Sequence, residues 1–238
     1  MLLLNSTLRA HRRLLRRRRA NPLIAYFEEN RGRQIHKWMH YFDIYDHHFS
    51  RFRGGKPTVV EFGVQHGGSL EMWRYYFGKR ARLFGVDIDP RCARSSARRT
   101  QVMIGDQADR TFLAEVARRT GPIDVLIEDG GHYPAQQIAT FEVLYPQVKE
   151  DGGFLIEDLH TSYWRNYDGG HQRPGTFMEY AKDLTDRLNA WHSKPADGLS
   201  VDDFTRTTRS MHFYDSIVVF EKGRVERPYA RRMGTPGF

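Results

Sequence analysis

Acidic side chains follow two short apolar runs in the second half of the chain. Glu128 and Asp129 end the run IDVLIED, and Glu157 and Asp158 end the run GGFLIED. If the two runs are neighbouring parallel strands, the four carboxylates meet at one sheet edge and repel one another unless they share protons or a cation. Oxygen ligands suit Mg²⁺, Mn²⁺ or Ca²⁺. The pattern therefore predicts a divalent metal site.

A histidine follows the first acidic pair after a Gly-Gly turn. His132 lies three residues beyond Asp129, and an imidazole titrates near neutral pH. It is therefore a candidate general base for a group bound to the metal. Taken singly, Asp129 and Asp158 are more typical of helix N-caps, and His132 of a solvent-facing side chain, than of a metal site.

A glycine-rich turn leaves the first apolar run of the chain and opens a helix. Residues 61–69 read EFGVQHGGS; such glycines let the backbone approach a ligand, and the helix N-terminus presents free N–H groups. The spacing is not GxGxxG, which favours a nucleotide-like ligand without a pyrophosphate. We expect Glu61, Gly63 and Ser69 to contribute to that ligand's site.

The next two apolar runs also end in polar residues. Asp87 is placed where an acidic side chain accepts hydrogen bonds from a ribose diol. Asp106 and Gln107 follow the third run, where the adenine amino group of such a ligand is expected. The alternative is that the glycines only turn the chain and the acids cap the following helices.

These residues come together only if a sheet positions them. The chain alternates short apolar runs with longer amphipathic segments, as such a sheet requires. The apolar runs span 58–63, 81–88, 101–104, 123–129 and 152–158, and the amphipathic segments between them, each predicted as a helix, span 68–77, 90–99, 108–119 and 134–148. Apolar strands alternating with helices predict an α/β fold, a doubly wound parallel sheet with helices on both faces.

The remaining segments surround this unit. One or two helices are predicted in 21–52, a helix near 176–192, and a pair of strands in 211–223 that closes the sheet edge. The long stretch 159–210 follows the second acidic pair, and long connections in compact domains are usually lids or binding elements. We expect one domain over 21–238, with 21–52 as a helical cover and 159–210 as a lid-like acceptor region.

Composition limits the classes of protein. With 238 residues, 39% apolar residues and 13% aromatics, the chain can bury one core and is not expected to be disordered. The single cysteine, Cys92, excludes an internal disulfide framework and a multi-cysteine zinc site. Because no segment reads as a signal peptide or a membrane span, we expect a cytoplasmic protein.

The positive charge is concentrated at the start of the chain. Of a formal net charge of +8, seven charges come from arginines within residues 1–20, a basic arm without acids. Such an arm suits nucleic acid or anionic lipid, but a single basic block is more typical of a solubilising or interface helix. Because 21–238 is nearly neutral and lacks a motif for a flipped base, the sequence argues against a nucleic-acid partner.

The motifs EFGVxxGGS, FGVDID, IGDQAD, IEDGGH and GGFLIEDL, with the following HTSYW, resemble class I S-adenosylmethionine-dependent methyltransferases. The resemblance is specific to the metal-dependent sugar O-methyltransferases of the macrolide and aminocoumarin type, whose relatives methylate mycobacterial polysaccharides. It extends from about Trp38 to Trp164. The segment HKWMHYFDIY is similar to the part that this family places over the cofactor. The chain departs from the pattern at Glu128 and Gly131, where Asp and Ser are common.

The resemblance implies a seven-stranded Rossmann-like sheet and an O-methyltransferase that acts on a sugar hydroxyl. It implies that S-adenosylmethionine is held by Gly63, Asp87 and Asp106, that Mg²⁺ or Mn²⁺ is held by Asp129, Glu157 and Asp158, and that His132 is the general base. The aromatic side chains Tyr163, Trp164 and Tyr167 are candidates for stacking on a sugar ring. Acceptors would be deoxysugars on macrolide-type compounds or saccharides.

Three alternatives stay open at this point. A catechol would bind Mg²⁺ through its two oxygens as well as a sugar diol. A nucleic-acid methyltransferase would account for the basic arm. A scaffold that retained the cofactor fold without activity would not need mutually repelling acids at its strand ends. A homo-oligomer, dimer or higher, is expected from the family.

Overall fold

The computed structural model describes residues 21–194, 196 and 198–238. The basic arm predicted over residues 1–20 lies outside this range. Seven strands are present in the described part: β1 Thr58–Phe62, β2 Arg82–Asp87, β3 Thr100–Ile104, β4 Ile123–Glu128, β5 Val148–Ile156, β6 Thr208–Tyr214 and β7 Ile217–Lys222. The α-helices there are α1 Pro22–Glu29, α2 Tyr41–Phe49, α3 Gly68–Phe77, α4 Arg110–Thr120, α5 Pro134–Leu144, α6 Phe177–Leu188 and α7 Asp203–Thr207.

The strands form one sheet in the order β3-β2-β1-β4-β5-β7-β6. Strands β1 to β5 pair in parallel, and β7 joins β5 antiparallel with β6 at the edge. The predicted Rossmann-like, seven-stranded and mostly parallel sheet is confirmed. Because chain order reverses between β1 and β4, the carboxyl ends of the parallel strands open a crevice where ligands of such folds bind.

Both faces of the sheet are covered, as the apolar strands require. Neighbouring residues in a strand point to opposite faces: Leu126 packs in the cluster under α4, α5 and α6, whereas Ile127 packs in the cluster under α1, α2 and α3. Phe141 of α5 is buried in the first of these clusters, and Trp73 of α3 is buried in the second. The strand ends are thereby held between two packed layers.

One predicted helix is wrong. Residues 90–99 do not form an α-helix: Pro90–Ser95 is a 3₁₀ turn, and the chain then makes a bridge to the start of β3. The hydroxyl of Ser96 accepts a hydrogen bond from the backbone N–H of Val102 (3.0 Å). Serine side chains commonly compete with helix continuation in this way. The connection after β2 is therefore short and lies close to the crevice.

The segment after β5 is only partly irregular. It contains two 3₁₀ turns, Leu159–Tyr163 and Arg165–Tyr167, then α6 and α7, and β6 already begins at Thr208. The predicted helix near 176–192 is α6 followed by a 3₁₀ turn at Ala190–His192. Movement of this region as a lid stays a prediction. Among the described residues, no helix combines the length and apolarity needed to cross a membrane.

Candidate active site

The turn after β1 is shaped by contacts that tolerate only glycine at Gly63. This residue has a positive φ of 85°, and a Cβ atom there would lie 1.8 Å from the carbonyl oxygen of Asp129. The N–H groups of Val64 and Gln65 donate to Oδ2 of Asp87 (2.8 and 2.9 Å). Asp87 thus ties the turn after β1 to the end of β2, and the turn touches the end of β4.

A cavity of about 190 Å³ opens over these strand ends. Four of the predicted cofactor residues line it: Gly63, Asp87, Asp106 and Gln107. Oδ1 of Asp87 accepts one backbone N–H, from Asp89 (2.9 Å), and a carboxylate oxygen has room for a second donor. The sequence-predicted nucleoside residues are therefore brought together around one space.

Gln107 faces this cavity with its amide already engaged. Its Nε2 donates to Glu128 and to Thr140 Oγ1 (3.0 Å), and its Oε1 accepts from the N–H of Gly131 (3.3 Å). Glu128 itself is fully buried, and burial raises the pKa of its carboxyl. Gln107 therefore holds the turn after β4 in place in addition to lining the cavity.

Glu61 lies below the crevice. It lines neither this cavity nor the second one, which is described next. It is fully buried and accepts hydrogen bonds from Ser69 Oγ and Trp73 Nε1, both at 2.8 Å. Burial raises the pKa of Glu61 to about 7, although Lys37 and the two hydrogen bonds act in the opposite direction. The structure gives Glu61 a place under the first turn of α3; cofactor contact by Glu61 stays a prediction.

A second cavity, of about 230 Å³, adjoins the first. Gly63, Gln65 and Asp129 belong to the lining of both. The second cavity is also lined by Ser69, by residues 34–37, and by side chains from the turns after β4 and β5: His132, Asp158, His160, Thr161, Trp164 and Tyr167. We call the first cavity the nucleoside cavity, after the ligand that the sequence predicts for it. A ligand there would reach directly into the second cavity, where the acidic residues lie.

Two of the three predicted metal ligands, Asp129 and Asp158, line this second cavity, whereas the third, Glu157, does not. Asp129, His132 and Asp158 each present a ligand atom within 4.8 Å of the others. Glu157 is adjacent but fully buried, and one of its oxygens has no hydrogen-bond partner. Carboxylate oxygens of this kind fit a hard divalent cation. Asp158 adopts a left-handed backbone conformation (φ 54°), which is uncommon for a residue other than glycine.

We call the carboxylates of Asp129, Glu157 and Asp158 the acidic group. A lysine that the sequence analysis did not single out contacts two of them. The ammonium of Lys37 contacts Asp129 and lies 2.8 Å from Glu157 Oε2, with only 4% of the side chain exposed. Tyr41 donates from its hydroxyl to Asp158 Oδ1 (2.7 Å). The sequence held one signal for such a lysine: the predicted carboxylates repel one another, and buried carboxylates require a cation. The segment HKWMHYFDIY, which contains Lys37, was expected to lie over the cofactor.

Burial governs the electrostatics of this group. It raises the pKa of Asp129 and of Glu157. The charge of Asp129 raises the pKa of Glu157 further, and Lys37 opposes the increase at both carboxyls. Burial alone would lower the pKa of Lys37, but Asp129 and Glu157 outweigh it and raise that pKa. The lysine therefore stays an ammonium at neutral pH.

His132 is aimed across the acidic group. Its Nε2 lies 3.5 Å from Asp158 Oδ2, its Nδ1 is buried without a partner, and its φ is 62°. A Cβ on the preceding Gly131 would lie 2.3 Å from Gln136 Oε1, so a serine there would require Gln136 to move. The Gly-Gly turn is closely packed, and it directs the imidazole into the cavity.

Aromatic rings border the mouth of this cavity. Trp164 and Tyr167 line it, whereas Tyr163 is 45% exposed and belongs to neither lining. The ring of His160 lies 4.6 Å from that of Trp164 and 6.0 Å from that of Trp38. Trp38, another residue that the sequence analysis did not select, is 54% exposed. The border is thus formed jointly by the segment before α2 and the turns after β5.

Comparison with known proteins agrees with this arrangement. Residues 60–159 match a family model described as a methyltransferase domain. The 8-demethyl-8-alpha-L-rhamnosyl tetracenomycin-C 2'-O-methyltransferase of Streptomyces olivaceus is 35% identical over 190 residues, which cover 76% of this chain and 50% of the relative. Demethylmacrocin O-methyltransferase of Streptomyces fradiae is 35% identical over 201 residues, 79% of this chain and 50% of the relative.

Solved structures give the same result. The MycE methyltransferase from the mycinamycin biosynthetic pathway, in complex with Mg and SAH, superposes with a TM-score of 0.74 at 31% identity, over 86% of this chain and 54% of that one. The complex that also holds mycinamycin VI gives 0.73 at 31% identity, over 86% and 53%. The chain spans about half the length of the curated relatives it matches. Residues 60–159 therefore carry a methyltransferase domain, the chain has the class I methyltransferase fold of MycE, and the relatives it matches are named O-methyltransferases.

Proposed function

We propose that the protein transfers the methyl group of S-adenosylmethionine to a sugar hydroxyl, with a divalent metal, Mg²⁺ or Mn²⁺, at the acidic group. The acceptor is a saccharide or a glycosylated natural product. The observation that carries the proposal is the shared wall of the two cavities: Asp129 belongs to the nucleoside cavity and to the metal group at once. A methyl donor and an acceptor bound there would meet at Asp129.

The nucleoside cavity supplies the contacts for the donor. Asp87 would accept hydrogen bonds from the ribose and Asp106 from the adenine, while Gly63 would let the backbone approach the ligand; all three residues line this cavity. The donor supplies an electrophilic methyl group on a sulfonium, which requires an in-line approach of the acceptor oxygen. Fixing both partners in adjoining cavities contributes several kcal/mol to the lowering of the barrier. Support comes from MycE, whose solved structures contain Mg and SAH.

Asp129 and Asp158 would hold the metal, with Glu157 at its inner side. A bound divalent cation lowers the pKa of an acceptor hydroxyl and fixes its position. His132 would receive the hydroxyl proton at Nε2, the nitrogen that faces Asp158. The neighbouring aromatic rings of Trp164 and Tyr167 would lie against the apolar face of the sugar.

The acceptor class rests on the relatives. Their names specify a rhamnosyl tetracenomycin, L-olivosyl-oleandolide and mycinamicin VI as the compounds they methylate, and one MycE structure contains mycinamycin VI. Methyl transfer from labelled S-adenosylmethionine to a panel of rhamnosides, mannosides and glycosylated macrolides tests the proposal, with a simple catechol and total RNA as competing acceptors. We expect transfer to a glycoside that chelator abolishes. Transfer only to catechol or to RNA would replace the sugar acceptor, and binding without transfer to any of them would favour the scaffold alternative.

The division of the chain at residue 21, the homo-oligomeric state and the cytoplasmic location stay predictions from the sequence. Light scattering tests the oligomer directly. A deletion of residues 1–20 tests the arm, because sugar methylation should survive it.

A further inference from the structure

Lys37 reaches the acidic group from outside the sheet. Residues 33–37 cross the start of α3 so closely that a Cβ on Gly68 would lie 2.3 Å from the carbonyl oxygen of Gln34 and 2.6 Å from that of Arg33. The segment then continues into α2. The lysine is thus carried by a different element from the carboxylates it contacts, which stand at the ends of β4 and β5.

The contacts of Lys37 overlap with the place that a metal would take. Its ammonium touches Asp129, which is also a member of the three-residue group that presents ligand atoms within 4.8 Å. Its second partner is Glu157, which is outside that group. Three carboxylates, those of Asp129, Glu157 and Asp158, stand against this one ammonium. The ammonium and a divalent cation would therefore share the carboxylate of Asp129.

We propose that Lys37 is the built-in counter-ion of the acidic group: it stabilises the metal-free protein and opposes the binding of a divalent cation at Asp129. The proposal rests on the proposed function, since the metal belongs to it. Lys37 is a positioning residue, and it acts on the metal through Asp129 and Glu157. Without the ammonium, Asp129 and Glu157 face each other uncompensated; with it, an arriving cation meets a positive charge beside its ligand.

Two measurements on the purified full-length chain test this. Lys37→Met is compared with wild type and with Lys149→Met, a matched control because Lys149 pairs with Asp124 (2.8 Å) at the other end of β4 and lines neither cavity. In chelator, we expect Lys37→Met to unfold at a lower temperature than both. In calorimetric titration with Mn²⁺ alone, we expect it to bind roughly tenfold more tightly, because a like charge next to the ion is gone.

Lys37→Gln repeats both measurements without the charge but with hydrogen-bonding groups, in case the methionine variant does not fold. The inference is overturned if wild type binds Mn²⁺ and the neutral variants bind it equally or more weakly. If neither wild type nor the folded variants bind Mn²⁺, the metal of the proposed function fails, and the inference fails with it. Lys37→Arg, which keeps the charge, should restore the wild-type behaviour in chelator.

Discussion

The carboxyl ends of the parallel strands and the N-terminal cover contribute to the same site in different ways. The strand ends supply acidic side chains whose positions follow from the topology of the sheet, because each acid ends a strand. The cover, residues 21–52, contributes Lys37 and Tyr41, which meet those acids across the chain. The sheet therefore sets where the acidic side chains gather, and a separate element, the cover, supplies the groups that neutralise them.

The largest effect is expected at the strand ends, from Asp129→Asn. Losing a partner in a metal's outer shell alone costs about 10- to 100-fold in affinity or activity, so a ligand change should abolish turnover and metal binding. S-adenosylhomocysteine should still bind, because Asp87 and Asp106 are untouched. Asp124→Asn is the matched control: this aspartate pairs with Lys149 at the opposite end of β4. Near-normal turnover of Asp129→Asn in chelator would remove the metal from the account.

His132→Ala should slow the chemical step by roughly 10²–10⁴, the usual loss for a general base. Metal and S-adenosylhomocysteine should bind as in wild type, since Asp129 and Asp158 remain. Single-turnover rates, with calorimetry of both ligands, separate the steps. Weaker metal binding at an unchanged chemical rate would make His132 a ligand instead of a base.

Stability should depend on pH through Glu61, which the sheet buries beneath the cover. Its pKa in the folded protein is about 7, above the ordinary 4.5. The folded state therefore holds the proton more tightly, and stability falls as pH rises from about 4.5 to about 7, by an amount on the order of 3 kcal/mol.

Glu61→Gln removes this carboxyl while keeping one acceptor for Ser69 or Trp73. Urea unfolding at pH 5 and pH 8, in chelator, should show a smaller decrease for the variant than for wild type. Identical decreases in the two proteins would mean that Glu61 does not titrate in this range.

The smallest effect is expected at the aromatic border, which joins the two regions. Trp38→Ala, from the cover, and Trp164→Ala, from the turn after β5, should each raise the KM for a glycoside about fivefold and change kcat less, because stacked rings contribute about 1 kcal/mol. Tyr75→Ala is the control, as this ring is similarly exposed but packs against Tyr26 of α1 instead of His160. An effect of Trp164→Ala alone would exclude the cover from acceptor binding.

Most of the strand-end region could be predicted from the sequence. Apolar runs ending in Asp87, Asp106, Asp129 and Asp158 specify strands, and a parallel sheet places their ends at one edge. The 90–99 helix was wrong because Ser96 bonds to the backbone of β3 instead of continuing a helix.

The cover was harder to predict. Its two helices follow from aromatic periodicity, but Lys37 lies 92 residues from Asp129 in the chain, and no local pattern records that contact. For the same reason the exposed ring of Trp38 could not be separated from core aromatics. Tertiary packing alone brings these residues to the strand ends.

The most direct test of the account is calorimetric titration with S-adenosylhomocysteine, with and without Mg²⁺, on wild type and on Asp87→Ala. The control is Asp109→Ala, whose aspartate caps α4 and lines neither cavity. We expect wild type and the control to bind S-adenosylhomocysteine, and we expect folded Asp87→Ala not to bind it. No binding by folded wild type, or equal binding by Asp87→Ala, would contradict the placement of the cofactor at the strand ends.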